Sequence, residues 1–295
     1  MENLSSCPVC GIKIFTLFLK SNDYFLTNEE FSIMICASCG MKFVNPRPDP
    51  NEIRKYYESS DYVSHGGQKN ALNYIYKNVR KYSIKKKYKL VKEHAKSKKL
   101  LDIGCGTGEF IFFCKQMGFD VQGIEPGEKP RSFAKAKYHV DVEDETYLDK
   151  IVIAEFDIIT MWHVLEHVHK LHERMNKMRE ILKPGGTLII AIPNNNSWDA
   201  CYYGKFWAAY DLPRHLYHFS VETMKILANV HQFKVDEIIP MKLDAFYISF
   251  LSEKYARGKQ NYFKAFINGI RSNNFARKNE KNYSSLIFIL KKAEN

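Results

Sequence analysis

The run Leu100-Leu101-Asp102-Ile103-Gly104-Cys105-Gly106-Thr107-Gly108-Glu109 constrains the fold more than any other part of the chain. Apolar Leu100, Leu101 and Ile103 read as a buried strand, and Phe110 to Met117 as a helix that Gly118 ends. Between them three glycines stand at alternate positions, so the backbone can turn sharply and approach a ligand closely. A strand, a glycine turn and a helix in that order place a small-molecule site at the carboxyl end of a parallel strand in an open α/β sheet.

The spacing discriminates between cofactors. A dinucleotide rests its pyrophosphate on a helix N-terminus behind Gly-x-Gly-x-x-Gly. Here the order is Gly-x-Gly-x-Gly, and Glu109 opens the helix, where a carboxylate repels phosphate. S-adenosylmethionine carries no phosphate and escapes that objection. A second strand, Phe119 to Glu125, ends on an acid about 20 residues beyond the loop, the distance at which a carboxylate reaches ribose hydroxyls.

Four segments, Leu101–Phe110, Gly118–Pro126, Phe156–Val168 and Ile181–Asn194, resemble in order and spacing the class I S-adenosylmethionine-dependent methyltransferases. The resemblance covers roughly residues 95 to 295, and Phe156–Val168 is similar to the ubiquinone-biosynthesis O-methyltransferases and bacterial sugar and small-molecule methyltransferases. It implies an α/β fold with a Rossmann-like seven-stranded sheet. It implies that Asp102, Gly104, Cys105, Gly106, Pro126 and Met161 join Glu125 around the cofactor, and that one acid of Glu143, Asp144 and Glu145 meets its adenine. It also marks Met161-Trp162-His163, after the strand Phe156–Thr160, as the place where the methyl group meets its acceptor.

Four of the seven cysteines fall into two knuckles, Cys7-Pro8-Val9-Cys10-Gly11 and Cys36-Ala37-Ser38-Cys39-Gly40. Four thiolates suit one tetrahedral structural zinc with no open position for catalysis. Two disulfides or a redox dithiol are the alternatives; an intracellular chain disfavours the first and the matched knuckles the second. Ile12–Phe15 and Phe31–Ile35 read as strands of a zinc ribbon, too small to fold without such a staple. The expected division is a ribbon over residues 1–45, a helical connector over 46–95, and a methyltransferase domain over 96–295 with a helical insertion at 244–281. Within the connector, Tyr56 to Gly67 either covers the site or is a surface linker. A ribbon followed by Asn45-Pro46-Arg47-Pro48 and a tyrosine-rich helix resembles the leader of bacterial methyltransferases, sugar C-methyltransferases among them. The sugar C-methyltransferases usually carry a further C-terminal domain, for which too few residues remain here, so sugar C-methylation is disfavoured.

No apolar run reaches the ~18 residues of a membrane span, and Met1 to Ser6 lacks the parts of a signal peptide. No membrane insertion and a cytoplasmic location are therefore expected. The net charge of +11 is concentrated between Lys77 and Lys99. That run either attracts an anionic substrate or nucleic acid, or is a solvated helix face.

For an acceptor hydroxyl a base is needed, and His163 and His215 are the candidates, with Asp211 to orient a histidine and Arg214 to hold an acidic substituent. His163-Val164-Leu165-Glu166-His167 spells the His-x-x-Glu-His order of some zinc proteases, but it starts at a strand end in a methyltransferase frame. His167 then reads as a structural histidine. The long segment 193–220 is rich in aromatic and polar groups, and Trp198, Trp207 and Tyr210 are placed to stack on an acceptor ring. The favoured acceptor is a small molecule or glycan-like hydroxyl. RNA methylation and a non-catalytic cofactor-binding interaction protein are the alternatives; Met161-Trp162-His163-Val164 stands where base-amino chemistry would want Asn-Pro-Pro-Tyr. The oligomeric state has no sequence signal.

Overall fold

A computed structural model describes residues 1–57 and 71–293, with the backbone alone over 71–77. Most of the segment Tyr56 to Gly67 lies outside these residues. Among the described residues eleven strands form two sheets. The smaller is ordered β1 (Phe15–Asn22), β2 (Glu30–Cys36), β3 (Lys42–Val44), β9 (Tyr217–His218) and is antiparallel. The larger has seven strands, ordered β10 (Phe233–Pro240), β11 (Ser285–Lys292), β8 (Leu182–Pro193), β7 (Phe156–Trp162), β4 (Lys99–Ile103), β5 (Asp120–Ile124), β6 (Val142–Glu143). This is the expected seven-stranded Rossmann-like sheet.

The chain divides into two compact units, one of Met1–Ser59, Leu165–His172 and Ala191–Phe288, the other of Ser60–Val164, Glu173–Ile190 and Ile289–Asn295. In the second unit β4 pairs in parallel with β5 on one side and β7 on the other, while β6 continues from β5. The chain therefore reverses direction across the sheet next to β4, the point where such sheets bind ligands. All seven residues of β7 are buried, as an apolar central strand should be. Helices α1 (Ala71–His94), α2 (Glu109–Gln116), α3 (Glu128–Tyr138), α4 (Tyr147–Lys150) and α5 (Leu171–Ile181) accompany these strands.

In the first unit the ribbon sheet closes on a core containing Phe31, Ile33, Val44, Tyr56, Trp207 and Tyr210. The first ribbon strand starts at Phe15, where the expected one ends. The backbone before it is taken up by the knuckle, in which Cys7 N–H donates to Ile12 O (2.8 Å) and Gly11 N–H to Cys7 O (3.0 Å). The segment 193–220 is not an open loop. It forms α6 (Trp198–Tyr203), two 3-10 turns, and β9, which pairs Lys42 with His218 and Phe43 with Tyr217. Trp207 and Tyr210 are core residues, with Trp207 Nε1–H donating to Asp199 at 2.8 Å. Ser220 caps α7 (Val221–Val230) through a reciprocal bond with Thr223. The segment read as an insertion is a helical hairpin, α8 (Asp244–Arg257) and α9 (Tyr262–Lys278).

Candidate active site

The second unit gathers all seven expected cofactor residues at the carboxyl ends of β4, β5 and β7. Gly104 and Cys105 both donate their N–H to Ile124 O (2.7 and 3.0 Å), tying the glycine loop to the end of β5. Gly104 has φ +70°, and a Cβ there would sit 2.4 Å from Val164 Cγ2. Gly106 has φ +54°, and nothing lies within 4 Å of where its Cβ would be, so its backbone faces open space. Glu125 bridges the loop: Oε2 accepts from Gly106 N–H and Oε1 from Gly127 N–H, each at 2.9 Å. Burial raises its pKa against the lowering effect of those two amides. Asp102 is buried and accepts the Thr160 hydroxyl at 2.5 Å; burial pushes its pKa up to about 7. Met161 is buried and pairs with Ile103, Cys105 is half-buried, and Pro126 is exposed.

Glu109 is not a bare charge at the start of α2. Arg80 Nε lies 2.6 Å from its carboxylate, and Tyr138 donates to it at 3.1 Å. The sequence argument missed this arginine because it comes from α1. Trp162 is also buried here, with Lys87 Nζ 4.5 Å above its ring and its indole N–H without a protein partner among the described residues. His163 follows directly, half-buried, at φ +57°.

The first unit brings the other three expected catalytic residues together. Arg214 is buried, and each of its nitrogens is engaged: Nε with both Asp211 oxygens (3.1 Å), Nη1 with Tyr56 O (3.0 Å), Nη2 with Asp23 (2.9 Å) and Asp211 (2.7 Å). Burial opposes the Asp211 charge, but Arg214 and His215 outweigh it and hold its pKa below the usual carboxylate range. His215 donates Nδ1–H to Ala209 O at 2.8 Å, and its Nε2 lies 3.9 Å from Asp211 Oδ2.

His167 completes the group and was not foreseen. Its Nδ1–H is held by Arg214 O (2.9 Å), with the Tyr57 hydroxyl 3.0 Å from the same nitrogen. Its ring lies 4.6 Å from that of His215. Burial, helped by His215, pushes its pKa down to about 4, so it is neutral at pH 7. Glu166 is fully buried, and ligand atoms of Glu166, His167 and His215 lie within 4.8 Å of one another. Two imidazoles beside a carboxylate are groups that can take up a proton or ligate a divalent cation. The His-x-x-Glu-His run was the available signal, but it points to His163 and says nothing of His215.

The four knuckle cysteines also converge. Cys7 and Cys39 sulfurs are 3.5 Å apart, Cys10 and Cys36 sulfurs 3.6 Å, and all four lie within 4.8 Å. Tetrahedral zinc with Zn–S of about 2.3 Å sets its sulfurs roughly 3.8 Å apart, so the set fits. Gly11 and Gly40 repeat the same left-handed turn, φ +74° and +72°, each donating to the carbonyl of its first cysteine.

Residues 76–238, more than half of the chain, match a family model described as a methyltransferase domain. An uncharacterized methyltransferase of Alkaliphilus oremlandii is 33% identical over 94 residues, 31% of this chain and 44% of that one. A ubiquinone biosynthesis O-methyltransferase of Cereibacter sphaeroides is 32% identical over 126 residues, 39% of this chain and 50% of that one. The chain thus spans about half the length of the curated relatives it matches. Among solved structures, a SAM-dependent methyltransferase from Archaeoglobus fulgidus is similar with TM-score 0.51 at 22% identity, over 72% of this chain and 94% of that one. Geranyl diphosphate C-methyltransferase from Streptomyces coelicolor A3(2) is similar with TM-score 0.55 at 15% identity, over 81% and 96%. At these identities the structures establish the fold.

Proposed function

We propose, from the premise that this chain belongs to the methyltransferase domain family, that it moves a methyl group from S-adenosylmethionine to a hydroxyl of a small-molecule or saccharide-like acceptor. The observation that carries the reading is the glycine loop, whose Gly106 backbone faces open space while Glu125 grips it from the end of β5. The residues suit the cofactor: the loop backbone would lie along its methionine part, and Glu125, which has acceptor capacity beyond its two amide bonds, would take the ribose hydroxyls. When bound, S-adenosylmethionine supplies a methyl group on a sulfonium that is its own leaving group.

What remains for the protein is alignment and removal of the acceptor proton. His215 is our candidate base: its Nε2 takes the proton, and the anionic Asp211 stabilises the imidazolium. Arg214 fixes Asp211 and so positions His215, instead of holding the acceptor as the sequence suggested. His163 is the second candidate. The name of the ubiquinone biosynthesis relatives supports a hydroxyl acceptor. Trp198, half-buried and stacked on Tyr202 at 4.7 Å, is the aromatic we assign to an acceptor ring. Cys7, Cys10, Cys36 and Cys39 would hold a structural zinc.

The test is calorimetry with S-adenosylmethionine, followed by labelled cofactor with fractionated cell extract. Glu125→Gln should weaken binding at least about tenfold, the worth of a charged hydrogen bond. Label should enter small molecules or glycans, and His215→Ala should abolish it without altering cofactor affinity. Unchanged affinity removes Glu125 from the site. Label found only in ribonuclease-sensitive material makes RNA the acceptor.

A further inference from the structure

The α8–α9 hairpin is built inside out. A surface helix of a globular protein normally turns its apolar stripe to the core. The buried face of α9 instead consists of Ala265, Asn268, Gly269, Ser272 and Ala276. These small residues let α8 approach so closely that a Cβ on Gly269 would fall 2.5 Å from the Phe246 ring. The exposed face carries Phe263 (78% exposed), Phe266 (56%) and Ile270 (37%). Positions three and four apart form one row along the helix. The row widens across the hairpin, because Phe266 rests on Phe246 (5.4 Å) and exposed Tyr262 on Phe250 (4.9 Å). Burial in this fold does not account for such a face.

The charge around it is one-sided. From Lys254 to Lys281 there are eight lysines and arginines and one acid outside the buried core, Glu280. Arg257 and Lys264 pair with the buried Glu253, while Arg271, Arg277 and Lys278 are exposed on α9. Aromatic side chains in a row beside lysines and arginines are what an interfacial helix presents to lipid headgroups.

We propose that the α8–α9 face docks on the surface of an anionic phospholipid bilayer, its aromatics at the headgroup–acyl boundary and its basic groups on phosphate. Charge selects this occupant. A second copy would set two strongly basic faces against each other, and a neutral apolar partner would leave the cations without counter-charge. The contact is lateral: α9 has 17 residues with a polar buried side, and no helix among the described residues is long and apolar enough to cross a membrane. The proposal does not depend on the methyl-transfer reading.

The test is co-sedimentation of the full chain with phosphatidylcholine vesicles, with and without phosphatidylglycerol. Binding should require phosphatidylglycerol and fall steeply with added salt. Changing Phe263→Ser together with Phe266→Ser should lower the partition coefficient by about tenfold or more, with an unaltered melting curve. Arg277→Glu with Lys278→Glu should weaken binding to anionic vesicles. No binding by the wild-type chain, or equal binding by the double phenylalanine variant, overturns the proposal. So does a dimer in sedimentation equilibrium that the phenylalanine changes dissociate, since that assigns the face to a second copy.

Discussion

Replacing Arg214 with methionine separates a clamp from a substrate holder. The guanidinium side chain is 2% exposed and the Asp23 carboxylate 0%, with Asp211 partly buried beside them. Methionine keeps much of the volume but leaves two carboxylates facing each other and the Tyr56 carbonyl without its donor. Removing one partner of a buried ion pair costs about 3–5 kcal/mol, and the fully buried Asp23 argues for the upper part of that range. At roughly 2–4 °C per kcal/mol for a body of 150–250 residues, the melting temperature should fall by about 10 °C or more. Differential scanning calorimetry reads it directly. An Arg214→Met protein that melts like the wild type while its KM for the acceptor rises would refute the clamp and return Arg214 to the acceptor.

Protein purified without chelator should carry one zinc per chain by atomic absorption, and Cys36→Ser should lose it along with the amide protection of β1 to β3; metal-free wild-type protein with the ribbon intact would end the zinc reading. Asp102, with its pKa raised by burial to about 7 from the ordinary 3.8, binds a proton in the folded state that the unfolded chain has released. Stability should therefore fall as pH rises between those two values and level off above them, and Asp102→Asn should be more stable than wild type by about a few kcal/mol at pH 8 but equally stable at acid pH; the same difference at both pH values would contradict the raised pKa.

The sequence made local chemistry legible. The alternate glycines, the acid at Glu125 and the paired knuckles each act within a few residues, through backbone conformation or ligand spacing that side-chain identity announces. The apolar runs of β7 and β8 were legible because central strands are buried on both faces. What escaped depends on residues far apart in the chain. Arg214 looked like the holder of an acidic substituent because neither Asp23 nor the Tyr56 carbonyl is nearby in sequence. Trp207 and Tyr210 looked like ring-stacking groups, since an aromatic row in a polar segment carries no mark of the core it will enter. The His167–His215 pair joins a 3-10 turn after β7 to the segment before β9, and no periodicity reports such a meeting. Glu109 misled in the opposite direction, for its neutralising Arg80 precedes the whole motif.

The pairing of β3 with β9 has a consequence for the order of synthesis. The ribbon strands leave the ribosome early, yet Val44 N–H donates to Leu216 O, and Phe31, Ile33 and Val44 share a core with Trp207 and Tyr210. At roughly 5–20 residues per second, the interval between translating β3 and β9 is on the order of ten seconds or longer. Throughout it β3 presents an unpaired edge and the ribbon an open apolar face. The nascent ribbon must therefore be guarded until β9 arrives, and that interval is where chaperone capture or mispairing of this protein would concentrate.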